Sequence, residues 1–211
     1  MVKAIFFDLW GTLVETTVYP SPIRQVKYIL GIQGTFQDYI LTFEQIFMTK
    51  TFSSLEEGFR EVCKAFDIEP TKDQLDQLIG LWNKKNLISK PYPETLEVLE
   101  KLHKKFKLVL ISNTDCFSTE QTLDKFDMTK YFEKIVVSYK EGKLKSHPEL
   151  FANALKELKI KKEDAIMIGD SIESDMEGAQ AAGIKGILID RKDRREYEHK
   201  IMSLLEIEDA L

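Results

Sequence analysis

Acidic and hydroxyl side chains stand directly after short apolar runs at several points in this sequence. Asp8 follows Ala4-Ile5-Phe6-Phe7, Ser112 follows Leu108-Val109-Leu110-Ile111, Asp170 follows Ala165-Ile166-Met167-Ile168-Gly169, and Asp190 follows Gly186-Ile187-Leu188-Ile189. Asp175 closes the stretch Gly169-Asp170-Ser171-Ile172-Glu173-Ser174-Asp175. Taken singly, a polar residue after a strand is often only a helix cap, and Asp175 suits the first turn of a following helix. Joint placement changes the reading, because ligands bind beyond the carboxyl ends of strands in an open parallel sheet. If Asp8, Asp170 and Asp175 face one pocket, like charges a few ångström apart raise at least one pKa unless a cation intervenes. Oxygen ligands alone are on offer, with no cysteine or histidine nearby in sequence, which favours magnesium over zinc. Magnesium in turn suggests a phosphate. Gly11 and Gly169 are expected to let the backbone approach a ligand closely.

The elements that must position these residues are legible in the hydrophobic pattern. Five runs, the four above and Ile135-Val136-Val137 before Ser138, are too short for helices and rich in branched residues. Their unbroken apolarity implies a parallel sheet covered on both faces. Helical spacing over residues 119–126, 148–158 and 175–182, the last stopped by Gly183, separates the later runs. This alternation predicts an α/β fold with a Rossmann-like, doubly wound parallel sheet flanked by helices. Far more chain separates the first run from the second than a crossover helix needs. Residues 22–87 read as four helices broken at 31–34, 51–54 and Pro70, a small bundle with its own apolar seam. Pro91-Tyr92-Pro93 marks the return, after which Leu96, Leu99 and Leu102 start a core helix. The expected division is a core of residues 1–14 and 90–211 with an insertion of residues 15–89. The charge-rich residues 191–200 are expected to be a solvated face leading, through Ile201, Leu204 and Leu205, to a terminal helix.

The chain has 211 residues, 43% of them apolar, enough to bury a core without a disulfide or structural metal. Its 35 acidic against 30 basic residues, net −5, argue against a nucleic-acid partner, since binding a phosphate backbone needs a positive surplus. Cys63, Cys116 and the histidines His103, His147 and His199 form no metal or disulfide pattern. No apolar run approaches the roughly 18 residues that span a bilayer, and Met1-Val2-Lys3 leads into a strand rather than a signal peptide. A soluble, cytoplasmic protein with no membrane partner is expected.

Four stretches together resemble the motifs of the haloacid dehalogenase superfamily, in order: Asp8-Leu9-Trp10-Gly11-Thr12-Leu13-Val14, Ile111-Ser112-Asn113, Lys145 with Pro148, and Gly169-Asp170 through Asp175. They span nearly the whole chain. The resemblance implies a Rossmann-like core with a helical cap of the C1 type at the insertion, closing over a small phosphorylated molecule. It implies Asp8 as the nucleophile that forms an aspartyl phosphate, and Mg2+ held by Asp8, the backbone carbonyl of Trp10, Asp170 and Asp175. Ser112 and Lys145 would act on the phosphoryl group as charge develops on its oxygens, and Thr12 and Asn113 would join them in binding substrate. A solvated lysine is the ordinary alternative for Lys145, which shares a basic loop with Lys140 and Lys143.

Trp10 departs from the family's phosphatases, which place there a second aspartate that protonates the leaving oxygen. An indole does not titrate. General acid-base catalysis is typically worth about 10²- to 10⁴-fold, so alkyl phosphates are expected to turn over slowly and activated esters to suffer least. The family's haloacid dehalogenases carry an aromatic residue at this place and need neither proton donor nor metal, which makes an Asp8 ester without metal the alternative. They hold the substrate carboxylate with a cap arginine, and the insertion offers Arg24 and Arg60. They lack the paired acidic residues kept here as Asp170 and Asp175. A phosphate-binding protein without turnover is a third reading.

Among the remaining residues, Cys116 is read as inert and His147 as a loop residue near the site. Phe36, Tyr39, Phe43, Phe47, Phe52, Phe59 and Phe66 are read as bundle core. Tyr19 and Trp82 are the aromatics most worth testing at the cleft.

Overall fold

The computed structural model describes residues 2–211; Met1, the first residue of the expected core segment, lies outside them. In chain order the elements are the strands β1 (Ala4–Phe7) and β2 (Val14–Glu15) and the helices α1 (Pro22–Ile29), α2 (Phe36–Phe47), α3 (Leu55–Ala65) and α4 (Lys72–Ile88). There follow β3 (Lys90–Pro91), α5 (Thr95–Leu102), β4 (Lys107–Ser112), α6 (Thr119–Lys125), β5 (Lys134–Val137), α7 (Ser138–Glu141) and α8 (Glu149–Leu158). The chain ends with β6 (Ala165–Gly169), α9 (Glu177–Ala181), β7 (Lys185–Ile189), β8 (Lys200–Ile201) and α10 (Ile207–Ala210).

Six strands form one sheet in the order β5-β4-β1-β6-β7-β8, each neighbouring pair parallel. Successive side chains of a strand point to opposite faces, and both faces are used. Ile5, Phe7, Leu108, Leu110, Ile166 and Ile168 enter one apolar cluster, while Ala4, Phe6, Val109, Ile111, Ala165 and Met167 enter another. This double burial is the reason the runs are apolar throughout. Phe7, the last residue of β1, lies opposite Leu110 and Ile168, so β4 runs two residues further, to Ser112, and β6 one, to Gly169.

Between β2 and β3 the four helices assemble a third cluster, in which Phe47 stacks on Phe59 at 4.9 Å and meets Trp82 edge-on at 5.1 Å. The hydroxyls of Thr35, Ser54 and Thr71 cap α2, α3 and α4, the last through a reciprocal capping box with Gln74. The chain leaves for these helices and returns from them side by side. Val14 pairs with Pro91 and Glu15 with Lys90 in a two-stranded antiparallel ribbon.

Three local expectations need correction. Lys200–Ile201 adds a sixth strand beside β7, and the expected terminal helix reduces to a 3-10 turn and the short α10, leaving Leu205 exposed. The helix expected over 175–182 is preceded by a wide π turn over Ile172–Met176, in which Ser171 caps Ser174. In α5 the buried stripe is Val98, Leu99 and Leu102, with Leu96 exposed. Among the described residues no helix is long and apolar enough to cross a membrane.

Candidate active site

Three carboxylates converge where β1 and β6 end. Asp8 leaves β1 with its backbone N–H on the Ile168 carbonyl, and oxygens of Asp8, Asp170 and Asp175 all lie within 4.8 Å of one another. Ser112, the last residue of β4, donates its hydroxyl to Asp8 Oδ1 at 3.2 Å. Lys145, only 2% exposed, donates from Nζ to Asp8 Oδ1 at 2.6 Å and also to Asp175 Oδ1. Asp175 Oδ2 accepts from the Ser171 N–H at 3.0 Å, which folds the π turn back on itself.

Gly11 and Gly169 pack directly against this cluster. A Cβ on Gly11, whose φ is +85°, would overlap the Asp170 carboxylate, and one on Gly169 would overlap that of Asp175. Each glycine makes room for an acid.

One ammonium faces three carboxylates, and the electrostatics show the imbalance. Burial pushes the Asp8 pKa up to about 6, with Asp175 adding repulsion and Lys145 opposing both. Burial pushes Asp170 further, up to about 8, aided by repulsion from Asp8 and Asp175. Burial also disfavours the Lys145 charge, but Asp175 and Asp8 more than offset this and hold its pKa above the usual lysine range. Among the described residues no side chain hydrogen-bonds the Asp170 carboxylate, although Arg195 binds its backbone carbonyl. A carboxylate crowded by two others and left without a partner calls for a cation, and an all-oxygen donor set fits a hard divalent one. A folded-state pKa above the unfolded one means that the native state holds the extra proton, so stability falls as pH rises between the two values. Metal-free protein is expected to lose thermal stability as pH rises from 3.8 towards about 8, chiefly through Asp170. Added Mg2+ is expected to flatten that slope, and a profile indifferent to both would show the cluster needs no cation.

The carboxylates open into a cavity of about 400 Å³ between the sheet edge and the inserted helices. Trp10 lines it, its Nε1 donating to Thr114 Oγ1 at 3.2 Å. Asn113 lines it as well; its Oδ1 accepts the Lys145 N–H at 2.8 Å and its Nδ2 donates to Glu44 Oε2 at 3.2 Å. Thr12 is a correction to the expected substrate contacts. It is fully buried outside the cavity lining, with its hydroxyl unpartnered and its carbonyl taken by Arg191.

Among the lining residues that escaped the sequence reading are Glu44 on α2, Lys85 on α4 and Asp115 in the loop after β4. Lys85 Nζ lies 4.0 Å above the Trp10 ring and 4.8 Å from that of Trp82. It donates to Ser118 Oγ at 3.0 Å and pairs with Asp115 at 3.4 Å, while Trp82 Nε1 donates to the same Asp115 oxygen at 3.1 Å. Burial pulls the Lys85 pKa down, against the pull of Asp115. A signal existed in each helix. Lys85 continues the apolar stripe of Leu78, Leu81 and Trp82, and Glu44 sits between Ile40 and Met48 at helical spacing.

Other candidates fall elsewhere. Arg24 stacks on Phe36 at 3.8 Å and Arg60 pairs with Glu56 at 2.8 Å, neither lining the cavity. Tyr19 lines the cavity mouth, 70% exposed, with its hydroxyl on Glu15. Asp190 accepts the backbone N–H groups of Arg194 and Arg195, so it shapes the loop behind Asp170 rather than joining the cluster. The Cys116 thiol accepts from the Phe52 N–H, and burial raises its pKa, consistent with an inert thiol.

A family model described as haloacid dehalogenase-like hydrolase matches residues 2–183. The glyceraldehyde 3-phosphate phosphatase of Pyrococcus abyssi is 27% identical over 89% of this chain and 81% of its own length. A magnesium-bound hydrolase from Bacillus subtilis superposes with a TM-score of 0.70 at 18% identity, over 99% of this chain and 97% of that one. A 2-haloacid dehalogenase from Pseudomonas syringae superposes with a TM-score of 0.67 at 20% identity, over 100% and 98%. The fold is thus common to several chemistries.

Proposed function

Because the chain belongs to the haloacid dehalogenase-like hydrolases, whose family model covers residues 2–183, we propose that it is a Mg2+-dependent phosphohydrolase acting on a small phosphorylated metabolite. The observation that carries this reading is the trio Asp8, Asp170 and Asp175, two of them buried and Asp170 partly so, facing a single lysine, with the Asp170 carboxylate unpaired among the described residues. The phosphatase name of the Pyrococcus abyssi relative supports it.

In this reading Asp8 attacks phosphorus in line and carries the phosphoryl group as an aspartyl phosphate until water releases it. A pKa of about 6 leaves Asp8 ionised at neutral pH. Ser112 and Lys145 both bind Asp8 Oδ1, so they fix the rotamer from which the other oxygen attacks. Lys145 also sets positive charge beside the phosphoryl oxygens as negative charge spreads over them. The Asp8 and Asp170 carboxylates, with the Trp10 carbonyl and with Asp175 in support, would hold Mg2+, which supplies further fixed charge there. Residues 15–89 act as the cap on a core of residues 1–14 and 90–211, and their helices wall the cavity against water.

The dehalogenase alternative is the weaker reading. No arginine lines the cavity among the described residues, and the cation the inserted helices do bring there, Lys85, is already paired with Asp115. Hydrolysis of p-nitrophenyl phosphate is expected in the presence of Mg2+ and is expected to stop on adding EDTA. Metal-independent release of chloride from L-2-chloropropionate, without phosphate release from the aryl ester, would replace this reading by the alternative.

A further inference from the structure

Breaking a phosphate ester of an ordinary alcohol leaves an alkoxide unless a proton reaches the leaving oxygen, and Trp10 cannot provide it. The groups lining the cavity leave few sources. Lys145 is committed to Asp8 and Asp175. Asp115 accepts from Phe117 N–H, Ser118 Oγ, Trp82 Nε1 and Lys85 Nζ, so both of its oxygens are already engaged. Glu15 accepts the Tyr19 hydroxyl at the exposed mouth.

Glu44 differs from all of these. On α2 the residues Tyr39, Phe43 and Phe47 point into the bundle, whereas Ile40 and Glu44, followed one turn on by the C-cap residue Met48, line the cavity at the bundle's edge. Among the described residues the side chain is held by one hydrogen bond only, from Asn113 Nδ2 to Oε2 at 3.2 Å. Asn113 cannot flip, because its Oδ1 accepts the Lys145 N–H. That leaves Glu44 Oε1, among the described residues, with no hydrogen-bond partner, in the chamber that Asp8 and Lys145 also line.

We propose that Glu44 is a catalytic acid and base of this site, exchanging a proton with the leaving oxygen and then with water. This rests on the phosphohydrolase reading. As Asp8 forms its bond to phosphorus, the bond from phosphorus to the leaving oxygen breaks and its electron pair takes the Glu44 proton, releasing the alcohol. The Glu44 carboxylate then accepts a proton from water as that water's oxygen attacks phosphorus, which frees phosphate and restores both the Asp8 carboxylate and the Glu44 acid. Burial favours the protonated form of Glu44, and Asp8 and Asp175 add to this against Lys145 and the Asn113 hydrogen bond. Alkyl phosphates then become proper substrates despite Trp10.

The test compares Glu44→Gln with wild type on glycerol 3-phosphate and on p-nitrophenyl phosphate, whose leaving group needs no proton. On the alkyl ester kcat/KM is expected to fall about 10²- to 10⁴-fold. On the aryl ester, rapid mixing is expected to show a burst of p-nitrophenolate followed by slow turnover, because water attack on the aspartyl phosphate lacks its base. Wild-type turnover of glycerol 3-phosphate by the variant would overturn the assignment. So would loss of the burst together with alkyl turnover, which marks a merely structural side chain. Should Glu44→Gln not fold, Glu44→Asp decides: a loss of kcat/KM on the alkyl ester with the aryl burst rate kept supports the role, and an equal loss in alkyl kcat/KM and aryl burst rate overturns it. A wild-type protein that releases phosphate from neither ester overturns the phosphohydrolase reading itself, an outcome distinct from any failure of Glu44.

Discussion

An Asp8→Asn variant is expected to release no phosphate from any ester, a loss of at least about 10⁴-fold, while folding as well as wild type. The two halves have separate causes. An amide oxygen still accepts from Ser112 and Lys145, the two side chains that hold Asp8 Oδ1, so the local geometry has no reason to collapse. Removing one of three crowded carboxylates also relieves the repulsion that, with burial, raises Asp170. Melting temperature without metal is therefore expected to stay level or rise. The amide is a poor nucleophile, however, and no covalent intermediate forms. Phosphate release and thermal unfolding measured on the same preparation check both halves, and residual turnover near wild type would remove Asp8 from the chemistry. Mass spectrometry of wild-type protein quenched during turnover separates an enzyme from a binder. Added mass on Asp8 marks the enzyme, whereas stabilisation by ligand without product marks the binder.

Replacing Lys145 by methionine is expected to do more to the fold. The ammonium is buried and bridges Asp8 and Asp175, and methionine fills similar space without charge. Removing one partner of a buried ion pair costs about 3–5 kcal/mol because the other is left uncompensated. The sign with pH follows from the raised carboxyl pKa values, about 6 for Asp8 and about 8 for Asp170, which climb further once the lysine is gone. The folded variant then holds protons that its unfolded chain has lost, so its deficit is largest near pH 8 and shrinks towards pH 5. Urea unfolding of the metal-free variant at the two pH values measures it. Equal stability to wild type at pH 8 would mean that Lys145 is not what makes the acidic cluster tolerable.

The sheet and its acidic edge were legible because both depend on local pattern. A strand buried on two faces must be apolar throughout, so the runs ending at Asp8, Ser112 and Asp170 announced themselves, and the parallel register did the gathering. The sixth strand was hidden because two residues, Lys200–Ile201, carry no period that can be read. Glu44 and Lys85 were missed for a different reason. Helical spacing tells which residues share a stripe but not which stripe meets the bundle and which meets the cavity, a choice settled by how α2 and α4 pack. Thr12 shows the converse, since its neighbours Trp10 and Gly11 reach the cavity while one further step along the chain buries it.

The ribbon of β2 and β3 has an evolutionary corollary. Because Val14 and Pro91 are paired neighbours, the ends of the intervening segment are already joined in space, and replacing it leaves the endpoints of the sheet where they were. A foreign segment of another length adds only a slowly growing closure entropy. An exchange of the helical module would thus leave Asp8 and the acidic sheet edge in place while replacing Glu44 and Lys85 above them, like lenses on one camera body.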